Sequence, residues 1–562
     1  MTELPPFIIF FVAAALALVT RGRLRATIML AAPVIAGFVL FQLPHGSYGS
    51  FTLFDYSLTL THVDKLSLLF GYLFALAAFL SVLFALHIED TRQHVSGLLY
   101  AGSALGAVFA GDLITLFVFW ELLALTSVFL ILARDTEQAY RASIRYLLIQ
   151  VFSGVLLLAG VLVLANQTGS IAVRVIGLDG LGGWLILVAV GIKCGFPLVH
   201  NWITDSYPAA TPTGTAFLSA FTTKVGVYAL ARAFPGAEVL IYVGAAMTLF
   251  PIFYAVIEND LRRVLSYSMV NQIGFMVCGI GLGSELAING AVAHAFNDVI
   301  FKGLLFMSMG AVLFRTGTAK GSELGGLYKS MPWTAGFCMV GAASISALPL
   351  FSGFVSKSMV MVAAFDEGHP LVWLVLLFAS AGVLEHAGIK IPFFAFFAHD
   401  SGIRTKEAPK NMLLAMGLAA AVCVFNGSYP WVLYDLLPFP VHYAPFEAGH
   451  VLTQIQLLLF ATVSVTALML TGIYPPEIPG VNIDAEWVYR KALPAFGRSA
   501  LAAGRHARAY AAAGCGEIGR LALTYIRRHH GPEGTLARTW PTGSMAFWTI
   551  AVLALYLILS YV

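Results

Sequence analysis

Apolar runs of about twenty residues, the length a helix needs to cross a bilayer, recur from end to end of this 562-residue chain, and charged side chains sit inside them. Lys193, Lys224, Lys302, Lys357 and Lys390 lie within or beside such runs, as do Glu121, Asp298 and Glu385. A charge at mid-bilayer costs roughly 2.5–3.5 kcal/mol, so this set would cost about 20 kcal/mol if left unpaired in lipid. The charges must face a bundle interior or a hydrated path, and a relay of protons or ions is the default reading. Only 11% of residues are charged, against roughly 25% in soluble domains, and no soluble domain of any size fits between the runs. The expected fold is an all-α polytopic membrane protein of about sixteen transmembrane helices. The first run, Pro5 to Thr20, lacks a basic flank and reads as a span rather than a cleaved leader.

The basic residues set an orientation. Alternating loops on one side collect Arg21, Arg23, Arg25, Arg92, Arg134, Arg141, Arg145, Arg262, Arg263, Arg315, Lys320, Lys329, Arg404, Lys406 and Lys410, and the long segment after the fifteenth span adds more. The other side holds Lys65, Arg174 and Arg232. This asymmetry makes the basic side cytoplasmic and places both termini outside, in a cell inner membrane. Segment 484–530, rich in Ala, Arg and His with Trp487, Tyr489, Leu493 and Phe496 on one face, reads as one or two amphipathic helices on the cytoplasmic surface. Its basic residues suit anionic lipid or a partner subunit. The five cysteines have no metal or disulfide spacing and read as small buried residues. No nucleotide motif or cysteine cluster occurs, so no cofactor, metal or nucleic acid is expected.

Two segments echo one another, GIKCGFPLVH from Gly191 and GIKIPFFAFFAH from Gly388. In each, a proline follows the lysine and removes a backbone donor, freeing a carbonyl that needs a partner in lipid. A lysine beside a broken turn in each half is the pattern of a repeat-built transporter. Pro349, in ALPLFSGF, is expected to break a further helix before Lys357.

Glu121, in LFVFWELLALTSVFLI, reads as an ion-pair partner for a lysine on another helix, with Lys193 the best candidate. Lys224, between Thr223 and Val225, lies too deep to snorkel and suits proton carriage. His294, Asp298 and Lys302 recur at i, i+4 and i+8 on one face, about 12 Å of helix. Three titrating groups in a stripe suit stepwise proton transfer better than metal binding. In GVLEHAGIKIP, His386 and Lys390 share a helical face and read as a local pair, with Glu385 facing another helix. Lys357 reads as relay support or as a lysine snorkelling near a membrane face; His200 and Asp205, in HNWITDSYPAATPTG, as a loop with supporting roles.

These motifs resemble the antiporter-like subunits shared by respiratory complex I, membrane-bound hydrogenases and Mrp-type multisubunit cation/proton antiporters. The matching stretches are FWELLALTSVFLI, KCGFPLVHNWITDSYPAATPTG, TKVGVYAL, NDLRRVLSYSMVNQIGF, the His294–Asp298–Lys302 stripe and LPLFSGFVSK, within residues 60–420. GSELGGLYKSMP and DAEWVYR are most similar to the D-type component of the Mrp group. The resemblance implies two inverted five-helix repeats, each with a discontinuous helix. It also implies an axis in which Glu121, Lys193, Lys224 and Lys390 carry protons, with other membrane subunits as partners. Asp298 departs from the family's usual second histidine, and His200–Asn201 with Ile203–Thr204 depart from its usual loop.

The organisation expected is N-terminal helices over 1–95, repeats over 96–235 and 236–400, and further helices over 401–475. A cytoplasmic amphipathic segment over 476–543 and a terminal helix over 544–562 follow. The expected function is proton translocation within a monovalent cation (Na+)/proton antiporter. The alternatives are the same role in a redox-driven complex and a scaffold that conducts nothing.

Overall fold

A computed structural model describes residues 4–53, 56–474, 477–478, 480 and 482–561. The chain forms two compact units, Met1–Asn482 and Ile483–Val562. In the first, α1 (Pro6–Val19) and α2 (Gly22–Gln42) lead into a hairpin of β1 (Gly46–Leu53) and β2 (Tyr56–Val63). Then come α3 (Lys65–Ala85), α4 (Thr91–Phe109), α5 (Leu113–Leu132), α6 (Glu137–Thr168), α7 (Leu181–Cys194), α8 (Asn201–Ala209), α9 (Gly214–Ala220) and α10 (Thr222–Ala233). The rest of the bundle is α11 (Glu238–Ile257), α12 (Leu261–Leu282), α13 (Glu285–Thr316), α14 (Pro332–Ile345), α15 (Ser352–Asp366) and α16 (Pro370–Val383), with further helices over Lys410–Ser428 and Ala448–Leu470. The second unit holds a single long helix, Leu493–His530, where one or two were expected, and the apolar helix Thr542–Tyr561.

The chain is a multi-pass helical membrane protein. All sixteen expected segments contain helix, but among the described residues eleven are single helices long and apolar enough to span. Of the remaining segments, α1 is short, α4 opens on the polar Thr91–His94, and three are split as α7/α8, α9/α10 and α14/α15. The hairpin corrects the all-α expectation. YSLTLTHV alternates with period two, a strand signature, and pairs antiparallel with Gly46–Leu53. Asp112 ties it to the bundle: it caps α5 at Ile114 and Thr115 and also accepts the Thr59 N–H at 2.7 Å.

α12 and α13 form the buried centre of the first unit. Asp260 caps α12 at its first turn, where Arg262 and Arg263 begin the helix instead of lying in a loop as expected. Arg262 is fully buried and donates to the carbonyls of Pro208 at 3.0 Å and Ala210 at 3.2 Å. It thereby braces the turn between α8 and α9.

The echo that the backbone supports is not the expected one. Gly195-Phe196-Pro197-Leu198 and Ala347-Leu348-Pro349-Leu350 adopt one conformation, with φ of 75° and 58° at the first residue and 73° and 72° at the last. The Phe196 and Leu348 amides each reach back five residues, to Gly191 and Ala343 at 2.9 and 3.1 Å. A leucine at positive φ costs on the order of 1–3 kcal/mol and persists only where surrounding structure imposes it. Both breaks leave a helix end inside the bundle. Around Lys390, by contrast, the chain stays helical through π-helical turns at Leu384–Ile389 and Phe393–Phe397.

Candidate functional site

Lys224 and Asp298 form a buried ion pair. α9 ends and α10 begins at Phe221, and this interruption aims Lys224 across the bundle at α13. Its Nζ lies 2.7 Å from Asp298 Oδ2, with both side chains fully buried, and 3.4 Å from the Ser219 carbonyl. The i, i+4, i+8 stripe on α13 stands as expected, with His294, Asp298 and Lys302 all inaccessible to solvent. Lys302 Nζ donates to Ser268 Oγ at 2.7 Å. Lys302 and Lys357 both lie within electrostatic range of Asp298, so one carboxylate faces three ammonium groups. Desolvation makes such an arrangement costly unless charge and hydrogen bonding compensate.

His294 is held at both ring nitrogens: Nδ1 is 3.1 Å from Ser356 Oγ and Nε2 is 3.0 Å from Gln272 Oε1. A neutral imidazole carrying its proton on Nε2 satisfies both. Gln272 Nε2 donates to Asn271 Oδ1 at 2.6 Å, and Asn271 Nδ2 to the Thr248 carbonyl at 2.5 Å. Asn297 donates to the Ser352 carbonyl at 2.9 Å and accepts from Asn426 at 3.0 Å. Ser268, Asn271, Gln272 and Asn297 were not foreseen. Asn271 and Gln272 sit in the conspicuous SYSMVNQIGF motif, where two adjacent amides in a fully buried helix were the available signal.

In the N-terminal half, Lys193 Nζ donates to the Trp120 carbonyl at 3.0 Å and sits 4.7 Å from the centre of its indole. Glu121 lies within electrostatic range of Lys193, but no direct ion pair joins them among the described residues. Its Oε1 is buried without a hydrogen-bond partner. The notch that receives it exists because residue 154 is glycine; a Cβ there would collide with Oε1. Asp205 lies inside α8, not in a loop, and pairs with Arg145 at 2.6 Å. His200 packs against Phe250 with ring centroids 4.7 Å apart.

Two lysines divide the C-terminal half. Lys357, which the sequence left between relay support and a membrane-face position, is buried. It donates to the Ile345 carbonyl at 3.0 Å and stands 5.1 Å from the Phe275 ring centre. Lys390 instead caps the end of α11. It donates to the carbonyls of Ala255 (3.2 Å), Val256 (2.6 Å) and Glu258 (2.8 Å) and pairs with Glu477 at 2.8 Å. The expected His386–Lys390 pair is not formed. The π-helical turn replaces i, i+4 alignment by i, i+5, so Lys390 lies in range of Glu385, its backbone N–H bonded to the Glu385 carbonyl. His386 is fully buried, borders the Gly382 backbone one turn back, and is in range of Lys302, Lys357 and Lys390. Glu477 carried no signal, since its proline-rich stretch reads as linker.

The sequence profile of the family described as "NADH:quinone oxidoreductase/Mrp antiporter, TM" matches residues 110–384. The D-type component of the Na(+)/H(+) antiporter of Alkalihalophilus pseudofirmus is 34% identical over 312 residues, covering 52% of this chain and 63% of that protein. Hydrogenase-4 component B of Escherichia coli is 27% identical over 410 residues, 65% of this chain and 61% of that one. The chain thus spans under two thirds of these relatives' lengths. The Mrp complex from Dietzia sp. contains a chain that superposes with a TM-score of 0.66 at 22% identity, covering 83% of this chain and 95% of that one. A chain of the membrane-bound sulfane sulfur reductase, an archaeal respiratory membrane complex, superposes with a TM-score of 0.71 at 21% identity, covering 99% and 100%. These likenesses show a shared fold.

Proposed function

We propose, from the match of residues 110–384 to the profile of the NADH:quinone oxidoreductase/Mrp antiporter transmembrane family, that this chain is the proton-translocating subunit of a multisubunit monovalent cation (Na+)/proton antiporter. In this reading Glu121, Lys193, Lys224, His294, Asp298 and Lys302 form the relay, Lys357 joins it at Asp298, and Lys390 with Glu477 forms its end at the basic face. The two inverted repeats would meet at the Lys224–Asp298 pair. The basic loops and segment 476–543 would be cytoplasmic and the termini outside, with other membrane subunits around the bundle.

The observation that carries the reading is the buried Lys224–Asp298 pair with Lys302 and Lys357 competing for the same carboxylate. Two charges 4 Å apart interact by about 4 kcal/mol at an effective dielectric constant of about 20, enough to redistribute a proton among neighbouring amines. When Lys224 gives up its proton, Asp298 turns to Lys302 or Lys357. A proton then advances without the Asp298 carboxylate being left unpaired. His294, between Ser356 and Gln272, adds a further titratable group along the same stripe.

The test is proton flux in vesicles containing the whole complex. Asp298→Asn keeps the shape and removes the charge; its flux should fall to the leak rate. Native flux in this variant refutes the relay. The likeness to a hydrogenase component and to a respiratory complex favours a second reading, the same relay driven by redox partners. The proteins that co-purify decide: small hydrophobic antiporter subunits support cation exchange, and hydrogenase or quinone-reductase subunits support redox coupling.

A further inference from the structure

A cleft of about 650 Å³ opens between the α1–α2 turn and the α3–α4 turn, away from the relay. Its size is typical of a small-ligand site. Arg21, Arg23, Arg25, His87, His94 and Glu89 supply its ionisable lining. Arg25 joins the two turns, donating to the Thr20 carbonyl at 2.8 Å and the Glu89 carbonyl at 3.3 Å. Arg21 and Arg23 are exposed, and neither side chain has an ion pair or hydrogen bond among the described residues. Three guanidinium groups therefore face one carboxylate.

A helix terminus and a histidine ring also border the cleft. α2 begins at Gly22, and its N-cap residue, Arg21, makes no side-chain capping bond, so the first amides of a 21-residue helix lack a side-chain acceptor. Such a terminus attracts anions. His87 Nδ1 lies 3.1 Å from Asn411 Nδ2, which also donates to the Leu83 and Phe84 carbonyls at 3.0 and 2.9 Å. His87 Nε2 is buried and has no hydrogen-bond partner among the described residues.

The cleft is also half apolar. Ala26, Met29, Leu86 and Ile88 line it, and Leu18, Val19 and Leu24 beside it are more than half exposed. A soluble phosphate would leave this rim in water. A phospholipid would cover it with acyl chain while the headgroup phosphate meets the arginines, the recognition expected of basic pockets between spanning helices. The geometry points to a binding site for the phosphate headgroup of an anionic phospholipid, seated between the α1–α2 and α3–α4 turns.

The experiment is native mass spectrometry of the purified complex supplied with equal phosphatidylglycerol and phosphatidylcholine. The wild type should retain phosphatidylglycerol selectively. A surface arginine contributes roughly fivefold to such binding, so Arg21→Gln should lower retention about fivefold and Arg21→Gln/Arg23→Gln about thirtyfold. Lys320→Gln/Lys329→Gln, which removes equal charge from the basic segment between α13 and α14, should leave it unchanged. Equal retention in wild type and the double arginine variant overturns the site. So does a thermal stabilisation by inorganic phosphate matching that by phosphatidylglycerol, because the ligand would then be a soluble anion. Arg21 lies at the exposed rim, so the single variant remains readable if the double variant fails to assemble.

Discussion

The breaks at Gly195–Leu198 and Ala347–Leu350 share their dihedral pattern and their backbone hydrogen bonds, yet they place an ammonium group differently. In the first, Lys193 stands two residues before the break and donates to the Trp120 carbonyl on α5. In the second, Ile345 occupies that position, and Lys357, beyond the break, reaches back to the Ile345 carbonyl. A broken turn exposes carbonyl oxygens inside the bundle, and a lysine from either side can reach them. What differs is the next neighbour. Lys357 is in range of an Asp298 already paired with Lys224, whereas Lys193 has only Glu121, whose Oε1 has no hydrogen-bond partner among the described residues. The N-terminal half therefore holds a loosely coupled pair and the C-terminal half a crowded one.

The largest effects are expected where the crowding is greatest. Lys224→Ala leaves Asp298 without its direct partner, and removing one member of a buried pair costs roughly 3–5 kcal/mol. Thermal unfolding of the complex should shift downward and proton flux should vanish, while the double variant Lys224→Ala/Asp298→Ala should recover part of the stability but no flux. Lys193→Ala or Glu121→Ala should abolish proton-coupled transport with a smaller loss of stability, because no direct ion pair is broken. Unfolding shifts as large as that of Lys224→Ala would erase the difference between the halves. Gly154→Ala should reduce flux by displacing the Glu121 carboxylate while leaving the C-terminal cluster intact, an effect that flux measured against Lys357→Ala would separate. Smallest are Leu198→Gly and Leu350→Gly. Relief of a left-handed leucine, about 1–2 kcal/mol, is offset by the roughly 0.5–1 kcal/mol entropy cost of glycine. Both should stabilise slightly and equally in thermal melts; opposite signs would mean that the two breaks are not the same device.

Much of the site was legible residue by residue. The α13 stripe could be read because i, i+4, i+8 spacing is a property of one helix. Burial of Lys193, Lys224, Lys302 and Lys390 followed from their apolar flanks, whereas that of Lys357 was left open. The surroundings of Lys390 were not legible, because a spacing of 3.6 residues per turn fails where the chain adopts π-helical turns. The echo was assigned to the Gly-Ile-Lys strings because identical letters are visible in a sequence, whereas the shared backbone of GFPL and ALPL is not. Arg262 was placed in a loop by charge counting, although Asp260 two residues earlier is a helix cap.

From sequence alone came the membrane-spanning class, the asymmetry of basic loops, and the chemical identity of the buried ionisable groups. Each depends on composition or on periodicity within a single helix. Only the tertiary structure decided that Asp298 takes Lys224, that Lys390 takes Glu477 from a distant linker, and that Glu121 stays without a direct partner. Which side chains meet between helices depends on the rotation and depth of each helix. Those are set by close packing across the whole bundle, and no local spacing encodes them.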